Sequence, residues 1–246
     1  MKCSIICIVN KKAVYDGFCV SLASQNFKDY ELIPVWNTEG EYDSARAAFN
    51  DAASRAKGKY FVFVHPDIRF LDENSLGDIM KYVSNLPVSG FGAAGAAGAK
   101  KKGNGREIVT NILQGSGKSP VGRSIAAPEE VQTLDECFFV IEKKYMDEKA
   151  FPRRRGWHLY AVEYCLEAIK DGKSNYVVPA RLWHLSDGKS LDASYVLQLD
   201  ELIEHEKKYF DMICTTVKAW KTRGVAAKLY RKYYYLKQKL KKKLGK

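Results

Sequence analysis

A histidine, a proline and an acid stand together at His65, Pro66 and Asp67, directly after the apolar run Tyr60 to Val64. An imidazole and a carboxylate two residues apart can hold a divalent cation, and a cation so held can sit against a diphosphate. The other use of the same three residues is a turn that closes a strand. The preceding run has the length and the β-branched, aromatic make-up of a buried strand, which puts Asp67 at a carboxyl edge. In open α/β sheets that edge is where ligands bind.

The elements that must carry this edge are legible upstream. Cys3 to Val9 and Tyr30 to Trp36 read as strands, and Ala13 to Gln25 and Asp43 to Ala56 as helices. In the second helix Ala45, Phe49, Ala52 and Ala56 share one face, with Asp43 or Ser44 placed to cap its start. The resulting βαβαβ order predicts a parallel sheet. Asn10 and Asn37 follow the first and second strands and Asn50 lies within the second helix; they are turn and helix residues, or contacts to a nucleotide.

Further along, residues 72 to 86 predict a helix, and Val88 to Ala99 is apolar and rich in glycine and alanine. Gly90, Gly92 and Gly95 match Gly-x-Gly-x-x-Gly, but a dinucleotide fingerprint belongs after the first strand, and no Gly-Lys-Ser/Thr ending follows. Small residues there fit a strand that approaches another backbone closely. Lys100 to Lys118 reads as a loop or hairpin, Thr133 to Glu142 as a strand and Trp157 to Lys170 as a helix. Asn175 to Trp183 is extended, ending at His184, and Leu191 to Phe210 is helical.

The order of these motifs resembles the family 2 glycosyltransferases of GT-A fold, in particular a small bacterial subgroup with His-x-Asp in place of Asp-x-Asp. Ser44 to Asn50, followed by Ala56 to Phe63, looks like the family's helix and metal-site strand. Glu163 to Leu166, Gly172, Pro179 and His184 look like its acidic helix, glycine turn and terminal histidine. The resemblance covers roughly residues 1 to 190 and implies an α/β, Rossmann-like mixed and mainly parallel sheet flanked by helices. Residues 191 to 246 would then be a C-terminal helical extension.

The function it implies is inverting transfer of a sugar from a nucleoside diphosphate, UDP in the first instance, to a glycan or lipid-linked acceptor of a bacterial surface polysaccharide or glycoconjugate. Asp67, His65 and His184 are the expected ligands of Mn²⁺ or Mg²⁺, and Asn10, Asn37, Arg46, Asn50, His65 and Asp67 the expected donor contacts. The acceptor hydroxyl needs a carboxylate to take its proton. Glu163 is the first choice and Asp135 its rival. Asp135, Glu136, Trp157, His158 and Tyr160 are expected to meet sugar or acceptor. Arg153, Arg154 and Arg155, within Lys149 to Gly156, suit a lid over the diphosphate or a solvated loop. Two departures stand out: His65 replaces the first metal-site acid, and Ala161-Val162-Glu163 replaces adjacent acids that end in Asp. The first leaves open a homologue that binds the donor without turning it over.

Charge is unevenly distributed. Net charge is +11, yet 12 of the lysines and arginines follow Asp211, after which no acid occurs; the remainder carries 28 basic and 29 acidic residues, a net of −1. Val225, Leu229, Tyr233, Leu236, Leu240 and Leu244 draw one stripe on a helix otherwise filled with lysine and arginine. Such a helix lies on an anionic membrane or packs its stripe on the protein. A near-neutral body without a nucleic-acid module argues against a nucleic-acid partner. No run is long and apolar enough for a bilayer span or signal peptide, which predicts a cytoplasmic protein, peripheral on the inner face of the membrane. Cys3, Cys7, Cys19, Cys137, Cys165 and Cys214 form no Cys-x-x-Cys pair and read as reduced core thiols.

Overall fold

The computed structural model describes residues 2–87, 90–188 and 191–243. Its N-terminal elements are β1 (Cys3–Val9), α1 (Lys12–Ala23), β2 (Tyr30–Trp36), α2 (Ala45–Arg55), β3 (Tyr60–Val64), β4 (Ile68–Phe70) and α3 (Ser75–Ser84). The middle holds β5 (Phe91–Gly95), β6 (Ala97–Lys102), β7 (Gly105–Thr110), β8 (Leu113–Gln114), β9 (Ser119–Pro120), β10 (Glu129–Val131), β11 (Thr133–Leu134) and β12 (Phe138–Glu142). After α4 (Lys143–Glu148) and α5 (Tyr160–Lys170) come β13 (Ser174–Val177), β14 (Leu182–His184), α6 (Ala193–Glu206), β15 (Met212–Cys214), β16 (Ala219–Lys221) and α7 (Val225–Lys243).

Seven strands build the central sheet in the order β10-β13-β5-β12-β3-β1-β2. β1 is parallel to β2 and β3, and β13 to β5, while β12 runs antiparallel between β3 and β5, and β10 antiparallel at the edge. Five of the seven strands therefore point one way, giving the mixed, mainly parallel sheet expected. Alternate residues of each strand face opposite sides. Ile5, Cys7 and Val9 join the core under α1 and α3, while Ile6 and Ile8 join the core under α2 and α5. Ser44 caps α2, its hydroxyl accepting from the Ala47 amide at 3.1 Å.

Three stretches differ from the sequence reading, each because its halves join different sheets. Thr133 to Glu142 breaks at residues 135–137, since β11 pairs with β6 in a small sheet whereas β12 pairs with β3. Asn175 to His184 breaks likewise: β13 lies in the central sheet and β14 beside β4 and β8. Val88 to Ala99 divides into β5 and β6, with Val88 and Ser89 outside the described residues. The helix begins at Tyr160, not Trp157, because Leu159 takes a left-handed backbone (φ 62°) that helices do not continue through.

Close approach explains a glycine in this region. A Cβ on Gly98 would lie 2.6 Å from the Thr133 carbonyl oxygen and 2.8 Å from Val177 Cγ2. Gly98→Ala should cost about 1–3 kcal/mol, as overpacking does. Thermal denaturation checks this; an unchanged Tm would show that the two strands separate freely.

The C-terminal elements make a third core, in which Leu159, Val162 and Leu166 meet Tyr195, Leu199, Ile213 and Trp220. α7 joins it through Tyr234 and Tyr235, with the Tyr234 ring edge-on to Trp220 at 5.3 Å. Arg231, only 5 % exposed, pairs with Asp200 and donates to the Lys221 carbonyl at 3.1 Å. The stripe of Val225, Leu229, Tyr233, Leu236 and Leu240 is exposed instead. The helix is thus as expected but does not pack by its apolar stripe; Leu244 lies outside the described residues.

Candidate active site

β3 delivers His65 at its carboxyl end, and the turn into β4 carries Asp67. β14 pairs antiparallel with β4, His184 opposite Ile68, and the Leu185 amide donates to the Asp67 carbonyl at 3.0 Å. This register, set more than a hundred residues downstream, places His184 Nε2 3.2 Å from Asp67 Oδ2. One ligand atom each from His65, Asp67 and His184 lies within 4.8 Å of the others. His65 Nε2 is 2.9 Å from the Tyr160 hydroxyl, leaving Nδ1 as its remaining ring nitrogen.

Charge within the cluster is organised around Asp67. Burial opposes its ionisation, but the hydrogen bond and charge of His184 outweigh that and hold the carboxyl below its usual range. The same pairing lifts His184 above its ordinary value against the pull of burial. Burial lowers His65, which is therefore a neutral imidazole. A neutral imidazole, a second imidazole and a carboxylate form a donor set that fits a borderline divalent ion such as Mn²⁺ better than Mg²⁺, which favours oxygen.

The antiparallel pairing of β12 with β3 brings a second acidic group to the same edge. Phe138 lies opposite Val64, and the His65 amide donates to the Cys137 carbonyl at 2.9 Å, so Asp135 and Glu136 stand beside the cluster. Asp135 Oδ1 accepts from the Cys137 amide at 3.0 Å and Oδ2 from the Thr216 hydroxyl at 2.5 Å. Despite burial, these bonds and the charge of His184 keep Asp135 below its usual range, hence ionised. Glu136 differs: burial and then the Asp135 charge push it up to about 8, while Oε1 accepts from the Tyr160 amide at 2.8 Å. Neighbouring carboxyls driven apart in this way suit different tasks, one anionic and one protonated.

Glu136 makes a testable contribution to stability. The folded chain holds its proton more tightly than the unfolded chain does, which favours folding below pH 4.5 and fades as pH rises to about 8. Glu136→Gln lacks this dependence. Its Tm relative to the parent should therefore rise steadily between those two pH values; a constant difference would contradict the shift.

All five of these groups line a cleft of about 480 Å³ together with Trp157, His158, Thr216 and Tyr195. His158 precedes the left-handed Leu159, and its amide donates to Gln198 Oε1 at 3.1 Å. Burial lowers its imidazole. Asn10 and Asn37 meet at the carboxyl ends of β1 and β2, Asn37 Nδ2 donating to Asn10 Oδ1 at 3.3 Å. Leu191, Tyr195 and Thr215 to Val217 help to line the cleft, so its wall draws on both sides of residue 190.

Five other expected residues lie outside the cleft lining. Glu163 is on the α5 face turned toward α2, its side chain 2 % exposed and held by Arg46 Nε at 2.7 Å and Arg154 Nε at 2.9 Å. Val162, its neighbour, is the residue that reaches the cleft. Arg46 is correspondingly buried in that ion pair and not open to a donor, and Arg154 turns inward instead of toward a diphosphate. Asn50 uses both ends of its amide on Phe151, donating to the carbonyl at 2.9 Å and accepting from the amide at 3.0 Å. Tyr160 is buried and braces His65 rather than lining the cleft. Thr216 escaped the sequence reading because a threonine in a tail turn carries no signal of its own.

Comparison with known proteins bears on the family and the fold. A profile described as "Glycosyltransferase like family" matches residues 3–209. A Pyrobaculum calidifontis mannosyltransferase in complex with GDP-Man and Mn²⁺ superposes with a TM-score of 0.58 at 12 % identity, covering 84 % of this chain and 63 % of that one. S. aureus TarS 1-349 in complex with UDP-GlcNAc gives 0.54 at 14 %, covering 83 % and 66 %. GalNAc-T7 with UDP, GalNAc and Mn²⁺ gives 0.58 at 11 %, covering 83 % and 48 %. The chain thus spans less than two thirds of the length of these structures, and they show the fold. A Fuscovulum blasticum protein named "ATP synthase subunits region ORF 6" is 23 % identical over 213 residues, 84 % of each chain. With the family profile covering most of its length, the chain belongs to the glycosyltransferase-like family and has the GT-A fold.

Proposed function

We propose that the cleft transfers a sugar, with inversion, from a nucleoside-diphosphate sugar to a hydroxyl of a glycan or lipid-linked acceptor in bacterial surface polysaccharide or glycoconjugate synthesis. The observation that carries this is the convergence of His65, Asp67 and His184 with an ionised Asp135 in one cleft at the carboxyl edge of the sheet. His65, Asp67 and His184 would hold a divalent cation, which when bound supplies Lewis-acid neutralisation of the leaving diphosphate.

The chain's own residues account for the remaining tasks. Asn10 and Asn37, at the strand ends beside the 42 % exposed Trp36, would contact the nucleoside. A UDP-linked donor leads, since two of the three solved relatives described above contain uridine nucleotides. Protonated Glu136 donates a hydrogen bond to a sugar hydroxyl, and Trp157 offers an aromatic face. Asp135 takes the acceptor proton through lone pairs left free by Thr216 and the Cys137 amide, which fix its orientation. Attack from the face opposite the diphosphate inverts the anomeric centre.

Thermal shifts with a panel of nucleoside diphosphates and their sugars, each with and without Mn²⁺, test the donor half of this reading. One nucleotide class should raise Tm, and more so with Mn²⁺. Stabilisation by no nucleotide would refute it, and a stabilising donor that is never turned over would favour a binding homologue.

A further inference from the structure

α7 turns two unlike faces outward and inward. At 100° per residue, Ala227, Arg231, Tyr234 and Gln238 fall on the packed side, and Val225, Leu229, Tyr233, Leu236 and Leu240 on nearly the opposite side. Val225 is 77 %, Leu229 62 % and Leu240 58 % exposed. Lysines border this stripe on both margins: Lys228, Lys232 and Lys239 along one, Lys237 and Lys241 along the other. Off the helix, Lys207, Lys208 and Arg223 share a depression with Val225 and Lys228, where Glu204 pairs with Lys207 and Asp211 with Arg223, so cations remain in excess there.

We infer that this face docks onto the surface of an anionic phospholipid bilayer, with the stripe entering the acyl boundary and the lysines meeting the head groups. Charge complementarity selects the occupant. From Met212 onward the chain carries 12 cations and no acid; Arg223 and Arg231 pair with Asp211 and Asp200, the other ten are lysines, and the rest of the chain is close to neutral, so a second copy brings no excess of opposite charge. Nucleic acid would satisfy the lysines but leave the aliphatic stripe in water, whereas an interfacial helix uses both. Among the described residues no helix is long and apolar enough to cross a membrane, so the contact is a surface one.

The docked face also bears on the cleft. The hairpin β15–β16 holds α7 through Trp220 and presents Thr216 to Asp135, so one short element joins the membrane-facing helix to the cleft wall. An acceptor anchored in the same bilayer would need to travel little. The docking inference does not depend on the sugar-transfer reading, because lipid binding can be measured without a donor.

Co-sedimentation of the full chain with vesicles tests it. Vesicles of phosphatidylcholine containing about one third phosphatidylglycerol should retain the protein, pure phosphatidylcholine should not, and about 0.5 M salt should release most of it. Leu229→Asp with Leu236→Asp, at exposed positions, should weaken retention at least about tenfold with Tm unchanged. Equal retention of that variant, no retention of the parent, or tighter binding to an oligonucleotide than to the vesicles would overturn the inference.

Discussion

Replacing Asp67 with alanine is expected to lower sugar transfer at least about a thousandfold while leaving a cooperative melting transition. Asp67 is the one carboxylate of the cluster, and removing it leaves two imidazoles with no anionic oxygen to offset the charge of a divalent ion. The fold should tolerate the change. The Asp67 side chain is partly exposed, the His184 left without it can release its proton and stay neutral, and the backbone bond from Leu185 to the carbonyl of residue 67 survives. Asp67→Asn separates charge from shape: the amide keeps a partner for His184 but offers no anion, so it should be as inactive as alanine. Transfer by either variant within about tenfold of the parent would remove the cluster from the chemistry.

The second large effect distinguishes two carboxylates. Asp135→Asn should lower kcat by about 10²–10⁴-fold, the usual worth of a general base, with donor affinity little changed. Glu163→Gln should fail differently. It strips the anion from between Arg46 and Arg154 in the interior, where breaking one side of a buried pair costs about 3–5 kcal/mol. The protein that remains folded below its lowered Tm should turn over at close to the parental rate. A stable Glu163→Gln protein without activity would return the role of base to Glu163.

Local signals marked much of this site, and long-range register decided the rest. His65 and Asp67 follow an uninterrupted apolar strand, so their place at the sheet edge was readable from Tyr60 to Val64 alone. His184 was readable as a strand end, but its contact with Asp67 depends on the pairing of β14 with β4. Glu163 misled because residue type and helical setting do not specify which face turns inward; the partner that holds it, Arg46, lies 117 residues away. Asp135 and Glu136 read as the opening of a strand, and only the division of that strand between two sheets exposes them in a turn. In α7 the apolar periodicity identified the helix but left open whether its stripe packs on the protein, because the contact is made by Tyr234, Tyr235 and the buried Arg231, whose types do not announce a packed face.

Central to the proposed function is a divalent cation held by His65, Asp67 and His184 beside a nucleoside diphosphate. Titration of Mn²⁺ followed by electron paramagnetic resonance, with UDP or GDP present, measures that directly. One Mn²⁺ should bind per chain in the parent, more tightly with the nucleotide, and none in Asp67→Ala at the same concentrations. Equal occupancy of the two proteins, or no Mn²⁺ bound to the parent with either nucleotide, would contradict it.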